Sequence, residues 1–316
     1  MAVGVETAAG AATERVRRAL TGRRADVGGV VFQIVLLLTL VFALAVLIVL
    51  LLDVARTAIP YLQDRGAEVF TSGYSSLPAN AGIKYGLIGS LYIGLFVLVL
   101  ALPLGVCAAI YMEEYAKDTR LTRFINTNIR NLAGVPAIVY GILGLAIFVE
   151  FLGPIMGPGS VEGKSLLAGG LTISLMVLPI VIITTQEALR AVPTSIREAG
   201  FGVGATRWEV VRSHVLPYAT PGILTGSVLS TARALGETAP LIMVGAVTGF
   251  LATEGGIVES LQQRFTSLPT LIFAFVKKPV EEFQQLAAAT ILVLIVFIFL
   301  VNLTAILLRN RYERRW

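Results

Sequence analysis

Two side chains of opposite charge, Arg233 and Glu237, stand four residues apart inside an apolar stretch that reads STARALGETAPLIMV. A charged residue at the middle of a membrane helix costs about 2.5–3.5 kcal/mol on insertion scales. Spacing of four places two side chains on one helix face, where they neutralise each other. A chain that keeps such a pair among apolar neighbours moves something polar through them or holds a partner subunit. Gly226, Ser230, Arg233 and Glu237 form a small-and-polar stripe with spacings of 0, 4, 7 and 11. Pro240 would leave the carbonyl of Gly236 without a helical donor, which adds a polar spot beside the pair. The pair reads either as the lining of an anion path or as an ion pair that joins helices or subunits.

Pro136, Tyr140 and Gly141 are a second polar group in an apolar segment. Pro136 frees a carbonyl and Tyr140 offers a hydroxyl, both useful beside an anion, although a packed and kinked helix needs the same residues. Other chemistries have no residues to carry them. One cysteine, Cys107, and one histidine, His214, exclude an internal disulfide, a cysteine cluster and a multi-histidine metal site. Cys107 reads as a small core residue and His214 as a structural residue on the apolar side of its helix. No H-E-x-x-H, G-x-S-x-G or G-x-x-x-x-G-K-[ST] motif occurs, so neither a membrane-embedded hydrolase nor an ATPase is written into the chain.

The elements that position these residues are membrane spans. Of 316 residues, 56% are hydrophobic and 14% charged, far from a soluble average. Several apolar runs exceed the 18 residues or so needed to cross about 30 Å of hydrocarbon. Six spans are expected, near 30–52, 85–111, 129–151, 168–185, 222–250 and 286–308. The first run is too long for a signal-peptide core and reads as a retained span. Arginines 15, 17, 18, 23 and 24 precede it, and arginines 309, 311, 314 and 315 follow the last, which places both ends in the cytoplasm. The net charge of +5 is therefore a topology signal rather than a nucleic-acid surface.

Four sections follow. A basic segment covers 1–28, and the first span with an external loop covers 29–84. A five-helix core takes 85–308, and a basic tail 309–316. The first span is almost wholly Leu, Val, Ala and Ile and suits a peripheral helix facing lipid. Spans two to five carry the Gly, Pro, Ser and Thr that let helices approach or bend. Leu271 to Val276 is too short to cross and is expected at the interface.

The inside loop 186–221 is patterned as two helices around glycines. Pro193 suits a first turn, and Ser195 with Glu198 has the spacing of a capping box. Gly200, Gly202 and Gly204 are expected to end that helix, with a second one over Ala205–Val215 before Pro217.

Within it, Glu198-Ala199-Gly200, Gly204 and His214-Val215-Leu216-Pro217 resemble the EAA loop of ABC-importer permeases, EAA-x3-G-x9-I-x-LP, at every spacing. Gly200 stands for the third alanine and His214 for the isoleucine. Asn131–Val149, Ala232–Ala246, Leu102–Ala116 and Glu281–Leu294 are similar to the permeases of phosphate importers, of the A type more than the C type. The resemblance runs from about residue 80 to the end.

It implies an all-α type I importer permease. Arg233, Glu237, Ser230, Tyr140 and Pro136 would line the pathway. Glu198, Ala199, Gly200, Gly204, Arg207, Trp208, Leu216 and Pro217 would dock on an ATPase. The implied partners are a second, C-type permease, an ATPase dimer, an external phosphate-binding protein and membrane lipid. The implied cofactors, ATP and Mg, belong to the ATPase and none to this chain. A permease for molybdate, tungstate or a phosphonate is the neighbouring alternative.

Overall fold

The computed structural model describes residues 27–151, 153, 163–246 and 257–312. The expected N-terminal basic segment through residue 26, most of the loop 152–167 and the last four residues lie outside that set. The described chain is helical, in ten principal elements. These are α1 (Val27–Arg65), α2 (Lys84–Tyr115), α3 (Arg120–Ala133), α4 (Ala137–Phe151), α5 (Leu166–Arg190) and α6 (Thr194–Gly202), then α7 (207–236), α8 (Ala239–Met243), α9 (Leu268–Val276) and α10 (Glu281–Tyr312).

Four of these, α1, α2, α5 and α10, are long and apolar enough to cross a membrane, and α3 with α4 make a fifth if the bent pair is one span. Helix α5 is the hub. Two thirds of its most apolar stretch (67%) is buried, against 28% in α2, 6% in α10 and none in α1. It packs on α2, α3, α4 and α7, while α7 also packs on α10, and α9 fills the space between α10 and α2. Small residues make these approaches possible. A Cβ added to Gly105 would lie 2.6 Å from Val181, and one added to Gly141 would lie 2.7 Å from the backbone of Pro240. The chain divides into two compact units, 1–53 and 54–316, with the division inside α1. Up to Asp53 the helix is exposed along its whole apolar length.

Several boundaries differ from the sequence reading. Helix α1 does not stop near 52 but runs to Arg65, about 58 Å at 1.5 Å per residue. The guanidinium of Arg65 then donates to the carbonyls of Pro78 and Ala81 at 2.8 and 3.3 Å, closing the external loop onto the helix end. The expected span 129–151 is broken. Helices α3 and α4 meet at 104° because Gly134 caps the first and Pro136, extended at φ −57° and ψ 139°, starts the second. Helix α9 is packed on one side, with Leu268, Leu271 and Phe275 buried against its neighbours, while Phe273 and Val276 are exposed. Cys107 is exposed rather than a core residue, and so is His214.

Prolines interrupt α2 and α7 less than expected. In each, a Leu-Pro step (Leu102-Pro103 and Leu216-Pro217) follows one widened π turn. The leucine N–H reaches back five residues, to the carbonyls of Val97 and Val211. The wider turn gives the ring room without ending the helix.

Candidate functional site: a charged pair at a helix break and a packed cytoplasmic loop

Helix α7 stops at Gly236, and Glu237 follows in extended conformation (φ −79°, ψ 126°). Arg233 and Glu237 are therefore not neighbours on one continuous helix, as their spacing suggested. The last helical turn presents Arg233, and the chain just beyond it brings Glu237 back. The pair survives, with Arg233 Nε 3.4 Å from Glu237 Oε1. Pro240 sits in the first turn of the next helix, α8, so it removes no hydrogen bond from α7.

The expected stripe divides in two. Gly226 and Ser230 are buried, Gly226 against Thr184 of α5, and the Ser230 hydroxyl donates to the carbonyl of Gly226 at 2.8 Å. Arg233 is 45% exposed at its side chain and Glu237 is 23% exposed. The small residues thus pack helices, and only the charged end of the stripe reaches open space.

Tyr140 lies near enough to Arg233 to interact with it electrostatically. Its ring is buried and its hydroxyl donates to the carbonyl of Leu132 at 2.8 Å. That bond spans the α3–α4 break and satisfies a carbonyl at a helix end, one of the groups a helix leaves unpaired. Pro136 is exposed at the same break, so its role is to start α4 and not to free a carbonyl inside a helix. Arg233 and Glu237 are brought together, Tyr140 is buried within electrostatic reach of Arg233, Ser230 is buried inside α7, and Pro136 lies at the α3–α4 break.

The loop after α5 is a packed element. Leu189, Val192, Val210, Val215 and Ala219 form a small core of their own. No side chain caps α6; the expected Ser195–Glu198 box is absent. The box lies three residues before Glu209 instead, where Thr206 accepts from the Glu209 N–H at 3.4 Å and Glu209 accepts from the Thr206 N–H at 2.7 Å. Thr206, first through its N–H and then through its hydroxyl, holds the Glu209 carboxyl below the usual carboxylate range. That contribution is present above the ordinary carboxylate value and is lost as pH falls through the lowered one.

Gly200 lies inside α6, where a Cβ would come within 2.7 Å of Val210. This close approach accounts for glycine where the resembling loops have alanine. Gly204, at φ +83°, takes the left-handed conformation that turns the chain toward α7. Arg207 and Trp208 are not in a separate short helix. They begin α7, which continues to Gly236. Trp208 is exposed, as are Phe201 and Val203, and Arg207 lies over the Tyr115 ring. Glu198 and Ala199 are exposed, Leu216 is half-buried and Pro217 is exposed.

Two ion pairs that the sequence did not single out hold this loop. Arg197 donates to Glu114 at 2.6 Å and also to the carbonyls of Val192 and Leu189 at 2.9 Å each, while the Glu114 side chain is only 7% exposed. Arg190 grips Glu113 through two nitrogens, at 3.0 and 2.5 Å. Both carboxylates stand at the end of α2. No signal short of the fold joins residues 77 and 83 positions apart.

Residues 101–316 match the family model described as binding-protein-dependent transport system inner membrane component. A phosphate transport system permease protein PstA of Yersinia pestis is 35% identical over 72% of this chain and 72% of its own length. A PstA of Xylella fastidiosa is 33% identical over 78% of this chain and 82% of its own. A probable ABC transporter permease protein of Bacillus subtilis, YqgI, is 34% identical, and the match spans 59% of its length. Among solved structures, a bacterial ABC transporter for alginate import shares the fold at a TM-score of 0.62, covering 90% of this chain and 96% of that one at 13% identity. The MetNI methionine ABC transporter does so at 0.54, covering 74% and 95% at 19% identity. The helical architecture is that of type I importer permeases, and the chain belongs to the binding-protein-dependent transport system inner membrane component family.

Proposed function

We propose that this membrane permease subunit carries inorganic phosphate, forming half of a pathway with a second permease and taking its energy from a separate ATPase. The observation that carries the reading is the Arg233 guanidinium, half-exposed at the end of α7, with Glu237 beside it. A fixed cation in apolar surroundings attracts a dianion, and a carboxylate at 3.4 Å orients it while weakening retention of the anion. Relatives named as phosphate permeases, about a third identical over most of the chain, support phosphate over other oxyanions. The exposed Phe201, Val203 and Trp208 beside Glu198 suit a groove on an ATPase.

The test is reconstitution with the co-purifying subunits and the external binding protein. Phosphate-loaded binding protein is expected to stimulate ATP hydrolysis and uptake. Stimulation by molybdate, tungstate or phosphonate in place of phosphate would overturn the substrate assignment.

A further inference from the structure

Helix α3 packs on the protein through a mixed side, with Thr122, Asn126, Ile129 and Ala133 half-buried. Asn126 accepts from the buried Gln186 of α5 at 2.9 Å, and Arg130 donates to Glu187 at 3.3 Å. The opposite face carries Leu121, Phe124, Ile125 and Leu132, at 0, 3, 4 and 11 positions, and these are 67, 65, 39 and 45% exposed. Asn128, which shares that face, turns one amide hydrogen back to the carbonyl of Phe124 at 2.8 Å. An apolar stripe turned outward and left uncovered by the rest of the described chain marks surroundings that are themselves apolar.

We infer that α3 lies in the plane of the membrane, with its apolar face in the acyl boundary of an anionic lipid surface. The direction comes from the 104° turn into α4: with α4 taken as the crossing half of the bent pair, α3 runs along the bilayer. The level comes from its neighbours. It starts just past the end of α2 and packs on the end of α5 that leads into the loop 186–221. The charge comes from Lys117, Arg120 and Arg123, exposed at its start. The Arg123 contact to Asp118, 3.3 Å long and with Arg123 69% exposed, leaves that guanidinium accessible to headgroups. An apolar stripe with basic residues on the remaining surface and at the helix start is the pattern of an interfacial helix. This reading is independent of the transported anion.

The test uses the assembled complex with cysteine-free partners and Cys107→Ser in this chain. Single labels at Leu121→Cys, Phe124→Cys and Thr127→Cys report their surroundings in phosphatidylglycerol vesicles whose acyl chains carry bromine near the glycerol. Quenching several-fold stronger at 121 and 124 than at 127 is expected, since Thr127 points away from the stripe. Equal quenching at the three positions would overturn the inference. So would unquenched labels at 121 and 124, or a photocrosslinker at 124 that captures the second permease.

Discussion

At the scale of single residues, the pair at the end of α7 decides more than any other. Spacing alone made Arg233 and Glu237 partners, and the 3.4 Å contact agrees. What spacing did not carry was the helix end between them, because a four-residue interval fits a turn of helix or a chain folding back on itself. Replacing Arg233 by alanine removes one charge-assisted contact, worth about 1.5–3 kcal/mol. We expect phosphate uptake by an assembled complex to fall about 10- to 100-fold, since each 1.4 kcal/mol is a factor of ten. Arg233→Lys should recover part of it, because the charge stays while the fork is lost. Unchanged uptake of radiolabelled phosphate by Arg233→Ala would assign the pair to holding the helix end.

At the scale of elements, hydropathy located α2, α5 and α10 well and misdrew α3, α4 and α7. A window average sees how apolar a segment is and not where it turns. The break before Ala137 therefore disappeared into one span, and the stop at Gly236 into another. Glycines were more legible. Gly204 was expected to end α6, and its φ of +83° shows why glycine suits the position best. For an L-residue the left-handed region costs about 1–2 kcal/mol, and more when it is β-branched. Gly204→Val should leave the permease in the membrane but misdirect the exposed α6 face. Less ATPase is then expected to co-purify, and normal recovery of it would count against this turn as the docking element. Gly200 makes a sharper case. Gly200→Ala should destabilise the loop, and adding Val210→Ala should restore it, since the missing Cβ space is filled by Val210.

At the scale of the whole molecule, the loop is tied to two parts of the chain by different means. Covalently it joins α5 to α7, whose last turn carries Arg233. Through Glu113–Arg190 and Glu114–Arg197 it also holds the end of α2, and this second tie was invisible in the sequence because its members lie 77 and 83 residues apart. A push on the loop from an ATPase would therefore move α2 together with α7. The Glu114–Arg197 tie is the stiffer, with the carboxylate nearly buried and the guanidinium also closing the carbonyls at the end of α5. Breaking such a pair by removing one partner costs about 3–5 kcal/mol, because the other charge is stranded. Arg197→Ala should therefore lower the melting temperature of the complex. The transport role needs a gentler change. Glu113→Gln with Glu114→Gln keeps the shape, releases the charges and leaves the exposed α6 face untouched. ATPase should still co-purify and hydrolyse ATP, while phosphate moved per ATP falls, because α2 no longer follows the loop. Exchanging both pairs, with Glu113→Arg and Glu114→Arg against Arg190→Glu and Arg197→Glu, should recover part of that ratio. Loss of uptake and hydrolysis in equal proportion would make the tie a matter of stability alone.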